Sequence, residues 1–392
     1  MLFSKAAAGR LVQPAHTRNR PSHPGASAPM KLCFLGTAES IHTYKWVSFF
    51  AQRNHDVRWF SLVPSNFKNL DGIRFRVIGG RGPQAVRLMR AAAEVRRAVR
   101  EEPPDVLHAH YVGAYGLIGL AAGFHPFVAT AWGSDVLFAG RLPVKRPLVR
   151  AVLQRADLIT CDADHMADAI GTFGVPRDRI RLIYFGVDTE RFCPGPRSLE
   201  IRERLGLGDS PTVISLRSFE PVYNIETLIR AIPIVRRTVP DVRFVLVGGG
   251  SEASMLQALA AALGVTEHAR FVGRIPNHEL PTLLRSTDVY VSTSLSDAGI
   301  AASTAEAMAC GIPVVVTDSG ENNKWIGDGV SGTLFPVRDP EALAREVSRL
   351  LTDRAASRSY GDAGRQVILA RNDYAVEMEK MERLYAECVE SG

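Results

Sequence analysis

The chain has 392 residues, 46% hydrophobic and 22% charged, enough for two or three ordinary globular domains. Its longest mostly apolar stretch, residues 113–124, is too short to span a bilayer. Five scattered cysteines without a CxxC pair argue against a disulfide framework or a zinc site and fit a reducing, cytoplasmic setting. Net charge is +6 but uneven: residues 31–187 hold 21 basic against 13 acidic side chains, and residues 188–392 hold 22 against 28. Either the first half meets something anionic, or the charges are ordinary solvated scatter.

Residues 1–29 contain four basic residues and no acid, and they lack periodicity. They read as a disordered extension ahead of a start at Met30. From Lys31 strands and helices alternate. Strand Leu32–Leu35 ends in the turn Gly36-Thr37-Ala38-Glu39, and helix Ile41–Arg53 and strand Val57–Leu62 follow. A strongly basic helix covers Pro83–Arg100, with Arg87, Arg90, Arg96, Arg97 and Arg100. Strand Val106–His108 leads to His110, then a small-residue helix over 113–123. Strand Phe127–Thr130 ends at Trp132-Gly133-Ser134-Asp135, and strands Leu158–Cys161 and Ile180–Ile183 complete the first set. Apolar strands alternating with helices predict a parallel, doubly wound α/β sheet.

The turn-rich segment Phe185–Pro196 reads as a linker, after which the alternation restarts. Strands are expected at Thr212–Leu216, Arg243–Val247, Arg270–Val272, Asp288–Ser292 and Val314–Val316. Helices are expected at Ile225–Thr238, Glu252–Leu263, Glu279–Arg285, 340–352 and 374–390. The expected architecture is therefore two doubly wound domains, 30–187 and 188–370, with 371–392 as a helix packing back toward the first. The ligand site is expected in the cleft between them, at the strands' carboxyl ends.

Candidate residues cluster at those ends. The stretch from Ser292 to Asp318 runs strand, small-residue loop, helix, strand. Its loop (Asp297, Gly299, Ile300, Ala301, Ala302, Ser303) lets a ligand approach the backbone, and the helix start offers N–H groups to an anion. Glu306 can accept hydrogen bonds from sugar hydroxyls. Alternatively, this is a plain βαβ unit with small residues for packing. Gly248-Gly249-Gly250 opens a helix after a strand, but the next strand lacks the acid of a dinucleotide site, which discounts a nicotinamide enzyme. Arg217, after a strand, could clamp a diphosphate. His108 reads as structural and His110 as a cleft-edge group. Asp135 is either a helix cap or a substrate contact. The basic helix, with Arg141, Lys145, Arg146, Arg150 and Arg155, is either a solvated face or a contact for an anionic membrane. Without interleaved aromatics it does not suggest nucleic acid.

The segment Glu306-Ala-Met-Ala-Cys-Gly-Ile-Pro-Val resembles the donor-site motif of retaining glycosyltransferases of the GT-B fold, family 4. Gly186-Val-Asp-Thr-Glu-Arg-Phe192-Cys-Pro194 is similar to that family's linker, and His108-Ala-His110, Gly133-Ser-Asp135, the 248–250 glycines and Phe271-Val-Gly273 add to the likeness, which covers 30–392. Two positions depart from it. Ala298 stands eight before Glu306, where the family has a Glu, so either Asp297 takes that role or the role is lost. The family's phosphate Lys falls near Tyr223, which is not basic. The resemblance implies metal-independent transfer of a hexosyl group from a nucleotide-diphosphate sugar to a glycan, lipid-linked or small-molecule acceptor. It further implies that Glu306 binds the ribose, Asp297 and the 299–303 backbone hold the sugar, Arg217 holds the diphosphate, and backbone near Arg274-Ile275 reads the base, while the 248–250 glycines let a phosphate or sugar approach. Gly36 and His110 then face the cleft from the first domain, Gly36 among the donor-binding residues, His110 with Asp135 on the acceptor side and, with Glu306 and Asp297, among the catalytic candidates. A sugar-nucleotide epimerase, a phosphorylase or a non-catalytic nucleotide-sugar binder are the alternatives.

Overall fold

A computed structural model describes residues 28–137, 144–297 and 299–391. Residues 1–27, Arg141 and Ala298, which carry expectations above, lie outside them.

The first sheet contains β1 (Lys31–Leu35), β2 (Asp56–Ser61), β3 (Ile73–Val77), β4 (Val106–His110), β5 (Phe127–Thr130), β6 (Leu158–Cys161) and β7 (Ile180–Leu182). Its order is β3-β2-β1-β4-β5-β6-β7, parallel throughout. Its helices are α1 (Ile41–Gln52), α2 (Gln84–Glu101), α3 (Ala114–Ala122), α4 (Ser134–Leu137), α5 (Arg146–Arg155) and α6 (Asp164–Gly171). α2, α3, α5 and α6 bury Val95, Ile118, Val152 and Met166 on one face. α1 covers the other with Trp46, Val47 and Phe50.

The second unit begins with α7 (Leu199–Arg204) and alternates β8 (Thr212–Ser215), α8 (Ile225–Thr238), β9 (Arg243–Val247), α9 (Ala253–Ala262), β10 (Ala269–Gly273), α10 (Leu280–Arg285), β11 (Val289–Ser292), α11 (Ala302–Ala309) and β12 (Val314–Thr317). α12 (Asn322–Trp325), β13 (Thr333–Phe335), α13 (Pro340–Thr352), α14 (Arg354–Arg371) and α15 (Tyr374–Ser391) complete it. Its sheet, β10-β9-β8-β11-β12-β13, is again parallel. Central strands are Val/Ile-rich and buried on both faces, as parallel sheets require.

Strand order reverses between β1 and β4 and between β8 and β11. These switch points open crevices at the carboxyl ends of the strands. They bring Gly36 and His110 together in the first domain, and Arg217 and the loop after Ser292 together in the second.

The chain crosses between domains twice, side by side. Val187 N–H donates to Asn372 O at 2.8 Å, and Tyr374 N–H donates to Val187 O at 2.9 Å. Gly186 has φ +71, and a methyl there would lie 2.4 Å from Tyr374 Cα, so only glycine fits the crossing. Beyond it, α15 returns to the first domain and buries Met378, Met381 and Tyr385 beside Phe34 and Trp46. Glu382 Oε1 lies 2.8 Å from His55 Nε2.

Several elements were not foreseen. β3 is an edge strand whose arginines alternate with Ile73, Phe75 and Val77; Arg74 is held outside by Asp56 and Glu102. β13 has three residues and follows a turn containing Gly327, Gly329 and Gly332. α13 and α14 are separated by Asp353 alone, which caps the second by accepting from Ala355 and Ala356 N–H.

Candidate active site

The donor-side loop is pinned on both flanks. Leu295 N–H donates to Val222 O and Thr293 Oγ1 to Tyr223 O, both at 2.8 Å. Thr317 and Ser319 hydroxyls both donate to Ser294 O. Gly320, at φ +58, lets Asp297 O approach to where its Cβ would sit, 2.0 Å away.

This scaffold fixes Asp297 against Arg217. Arg217 Nη2 donates to Asp297 Oδ1 at 2.5 Å, and both side chains are about nine-tenths buried. The guanidinium also stacks 4.3 Å from the centroid of Tyr223. Arg217 Nε and Asp297 Oδ2 are buried without hydrogen-bond partners among the described residues. Asp297, expected to hold a sugar, is thus first the counter-ion of Arg217, with one oxygen left over. Tyr223, at the position of the absent lysine, supports the arginine rather than adding charge.

α11 begins at Ala302 with no side-chain cap from Ala301, so its first N–H groups are open to an anion. Ala301 is buried, Ala302 is exposed, and Gly299, Ile300 and Ser303 lie between. Ser303 Oγ is hydrogen-bonded to Tyr290 OH at 2.8 Å, which turns it away from a ligand role through its hydroxyl. Glu306 sits one turn further in. Burial pushes its carboxyl up to about 7, against the pull of Lys45 and Arg191. Lys45 belongs to α1 of the first domain, so Glu306 looks across the cleft. Arg274, exposed, places Nε 3.9 Å from where a methyl on Gly249 would sit, above the glycine loop; Ile275 packs partly into the domain core. A methyl on Gly250 would strike Phe219 O at 2.4 Å.

On the facing lip, His110 ends β4 and is 1% exposed. Phe34, Trp46, His108 and Trp132 surround its ring, with centroids 4.5–5.9 Å away. Among the described residues neither of its nitrogens has a hydrogen-bond partner, nor do Thr43 Oγ1 and Trp132 Nε1. Burial, with His42 adding repulsion, lowers His110 to about 3, so it is a neutral imidazole at physiological pH. This buried chamber of unpaired donors and acceptors suits a ligand's hydroxyl groups. Gly36 forms its floor: a methyl there would lie 2.8 Å from Thr43 Cγ2 and 3.2 Å from His110 Cβ. His108, on the same face, has both nitrogens occupied, by Tyr385 OH at 2.5 Å and Thr130 Oγ1 at 2.6 Å, and is structural.

Asp135 is neither a helix cap nor an acceptor contact. It lies in the first turn of α4, fully buried, and accepts from Val112 N–H at 2.7 Å and Trp132 N–H at 3.0 Å. Its carboxylate staples the β4 and β5 loops, so it supports the chamber without facing it. The basic face is also smaller than expected. Arg87 turns inward to Leu62 O and Arg146 stacks 4.7 Å from Phe173, while Arg90, Arg96, Arg97 and Arg100 remain outward.

At one edge the lips touch. Gly299 abuts Asp162 O of the first domain, where a methyl would lie 3.3 Å away. Glu321 Oε1 accepts from His165 N–H at 3.2 Å, and Lys324 Nζ reaches Asp164 Oδ2 and Glu321 Oε1 at 3.1 Å each. Asp162, Lys45, Thr43 and Trp132 were not singled out from sequence. For Asp162, the rule that selected Gly36 would have sufficed, since it directly follows a strand. Among the described residues, no group of three or more His, Cys, Asp or Glu side chains could hold a metal ion.

Two parallel α/β sheets with switch points facing across a cleft, an arginine at an open helix start and an acid in the following turns define a GT-B nucleotide-sugar transferase. The sequence matches the family model described as glycosyl transferases group 1 over residues 198–367 and the one described as glycosyl transferase 4-like over 31–163. The chain belongs to this family of glycosyltransferases. It is 34% identical to the GDP-mannose-dependent alpha-(1-6)-phosphatidylinositol monomannoside mannosyltransferase of Mycolicibacterium smegmatis, across 70% of this chain and 74% of that one. It is 32% identical to the D-inositol 3-phosphate glycosyltransferase of Salinispora tropica, across 68% of this chain and 59% of that one. Anabaena HepE, solved with UDP, shares the fold at a TM-score of 0.79 and 20% identity, across 91% of this chain and 100% of that one.

Proposed function

We propose that this glycosyltransferase is a retaining, metal-independent hexosyltransferase that moves sugar from a nucleotide-diphosphate donor to a glycan, lipid-linked or small-molecule acceptor. The observation that carries this reading is the grouping of Arg217, the uncapped start of α11 and Glu306 at one switch point. Arg217 and the α11 N–H groups receive the diphosphate, with Arg274 over the glycine loop as a further cation. Glu306 accepts the ribose hydroxyls. Asp297 Oδ2 and the 299–303 backbone hold the transferred sugar, whose hydroxyls also reach the His110 chamber.

In a front-face reaction the C1–oxygen bond to the diphosphate breaks as the acceptor oxygen bonds to C1 on the same side. The departing phosphate takes the acceptor's proton. The protein's part is to stabilise the developing phosphate charge and to exclude water. Because named relatives use GDP-mannose and inositol-containing acceptors, GDP-mannose and inositol head groups lead the search. The exposed arginines of α2, with Lys145, Arg150 and Arg155 of the α5 region, would hold the first domain against an anionic membrane carrying such an acceptor. Among the described residues no helix is long and apolar enough to cross one.

Purified protein incubated with nucleotide sugars and with methyl α-mannoside, myo-inositol and phosphatidylinositol vesicles tests this. Nucleoside diphosphate release with an α-linked product supports it. A β-linked product refutes retention. Conversion of the donor to an epimer without transfer refutes the hexosyltransferase reading.

A further inference from the structure

We infer that Asp162 is an acceptor-binding residue: its carboxylate accepts a hydrogen bond from the acceptor's attacking hydroxyl and aims it at the donor sugar. The inference rests on the proposed transfer reaction.

Asp162 is the first residue after β6, two strands along from β4 and its His110. Its carbonyl abuts Gly299, in the loop that presents the donor sugar. Of the residues assigned so far to the first-domain lip, none brings a carboxylate to this point. The other acids nearby are engaged. Both oxygens of Asp135 accept backbone N–H groups, Glu321 is held by His165 and Lys324, and Asp164 by Lys324. Asp162 Oδ1, by contrast, is shut off from water and has no hydrogen-bond partner among the described residues. A buried acceptor without a donor is unfavourable, and such groups persist where a ligand supplies the partner.

The charged groups around it come from three elements. Glu321 ahead of α12 and Asp135 of α4 disfavour a second negative charge, and His165 of α6 favours it. Burial is the largest influence; it outweighs the hydrogen bond that the carboxylate accepts from its own backbone N–H and the pull of His165, and pushes the Asp162 carboxyl up to about 6. Near neutral pH the ionised form predominates and accepts a hydrogen bond; in mild acid it is protonated.

The test uses the full chain with GDP-mannose as donor, and methyl α-mannoside, myo-inositol and phosphatidylinositol vesicles as acceptor probes. Asp162→Asn keeps the shape, and Asp162→Ser serves if the amide variant melts early. The expected result is at least a 30-fold loss of kcat/KM for the acceptor. GDP affinity by calorimetry and slow donor hydrolysis stay within twofold. The wild-type fall in acceptor kcat/KM below about pH 6 flattens in the variant. Unchanged acceptor kinetics overturn the inference, as does an equal loss in GDP affinity, which would make Asp162 a strap between domains. A wild-type protein that hydrolyses GDP-mannose yet transfers to no probe also overturns it. One that neither binds nor consumes any nucleotide sugar refutes the proposed function itself.

Discussion

Arg217 and Asp297 form a buried ion pair, 2.5 Å between Nη2 and Oδ1, with the guanidinium stacked on Tyr223. The arginine proposed to receive the diphosphate is therefore oriented in advance, with its charge partly neutralised by Asp297. A buried pair is geometrically specific, and removing one partner leaves an uncompensated charge.

Arg217→Ala should lower kcat/KM by about 100- to 1,000-fold, the scale of losing one transition-state charge contact. Arg217→Lys should not restore it, because an ammonium cannot both stack on Tyr223 and present a planar fork. Asp297→Asn should behave differently. It frees the guanidinium, so nucleoside diphosphate binding by calorimetry stays level or tightens, while turnover of the nucleotide sugar falls. A parallel loss of both would mean that Asp297 itself supports the nucleotide.

Glu306→Gln should reduce turnover by at least about 100-fold without unfolding the protein. The pH dependence separates catalysis from stability. The folded-state carboxyl titrates near 7, above its usual 4.5. Between those values the folded state binds the extra proton, so wild-type stability falls as pH rises through this window. Glu306→Gln lacks that fall. Its melting temperature relative to wild type should therefore be higher at pH 8 than at pH 5, by about 2–4 °C for each kcal/mol relieved. A difference that does not vary with pH would place the titration elsewhere.

Gly36→Ala probes the chamber. The added methyl must displace Thr43 or His110, whose atoms lie 2.8 and 3.2 Å from it. A strain of about 1–3 kcal/mol is expected, together with a clear drop in transfer. His110→Ala should lower transfer and, by emptying a site packed among Phe34, Trp46, His108 and Trp132, lower the melting temperature as well, measured by scanning fluorimetry.

Gly186→Ala tests the hinge. The substitution meets both a positive φ and the Tyr374 backbone, so the two crossings cannot stay paired. Melting should shift down by several degrees, and small-angle scattering should report a larger radius as α15 loosens from the first sheet. An unchanged radius and melting point would show that the crossings are not coupled.

The sheet cores were legible because an apolar run of four or five residues between turn formers has few other homes. β3 was missed because alternating arginines at an exposed sheet edge look like surface loop. The helix α14 was missed because Ser357, Ser359, Gly361 and Gly364 along it are weak helix formers and read as loop. Arg217 could be selected by its place after a strand, and Glu306 as the acid in the helix that follows the small-residue loop. Asp135, also placed after a strand, could not be separated from a ligand contact, because its partners are backbone N–H groups on two loops far apart in sequence.

By itself, the sequence determined two parallel α/β units and the turn-rich crossing near residue 186, since these rest on local periodicity and spacing, and it marked Glu306 as a candidate through a family resemblance. Only the tertiary structure decided what each polar group faces. It turned Asp135 inward to two loops, gave Asp297 to Arg217, seated His110 among aromatic rings, brought Lys45 across to Glu306 and left an oxygen of Asp162 unpaired. Those outcomes depend on which strands lie beside one another and how the two domains meet, and an electrostatic or hydrogen-bonding partner dozens of residues away leaves no mark on local pattern.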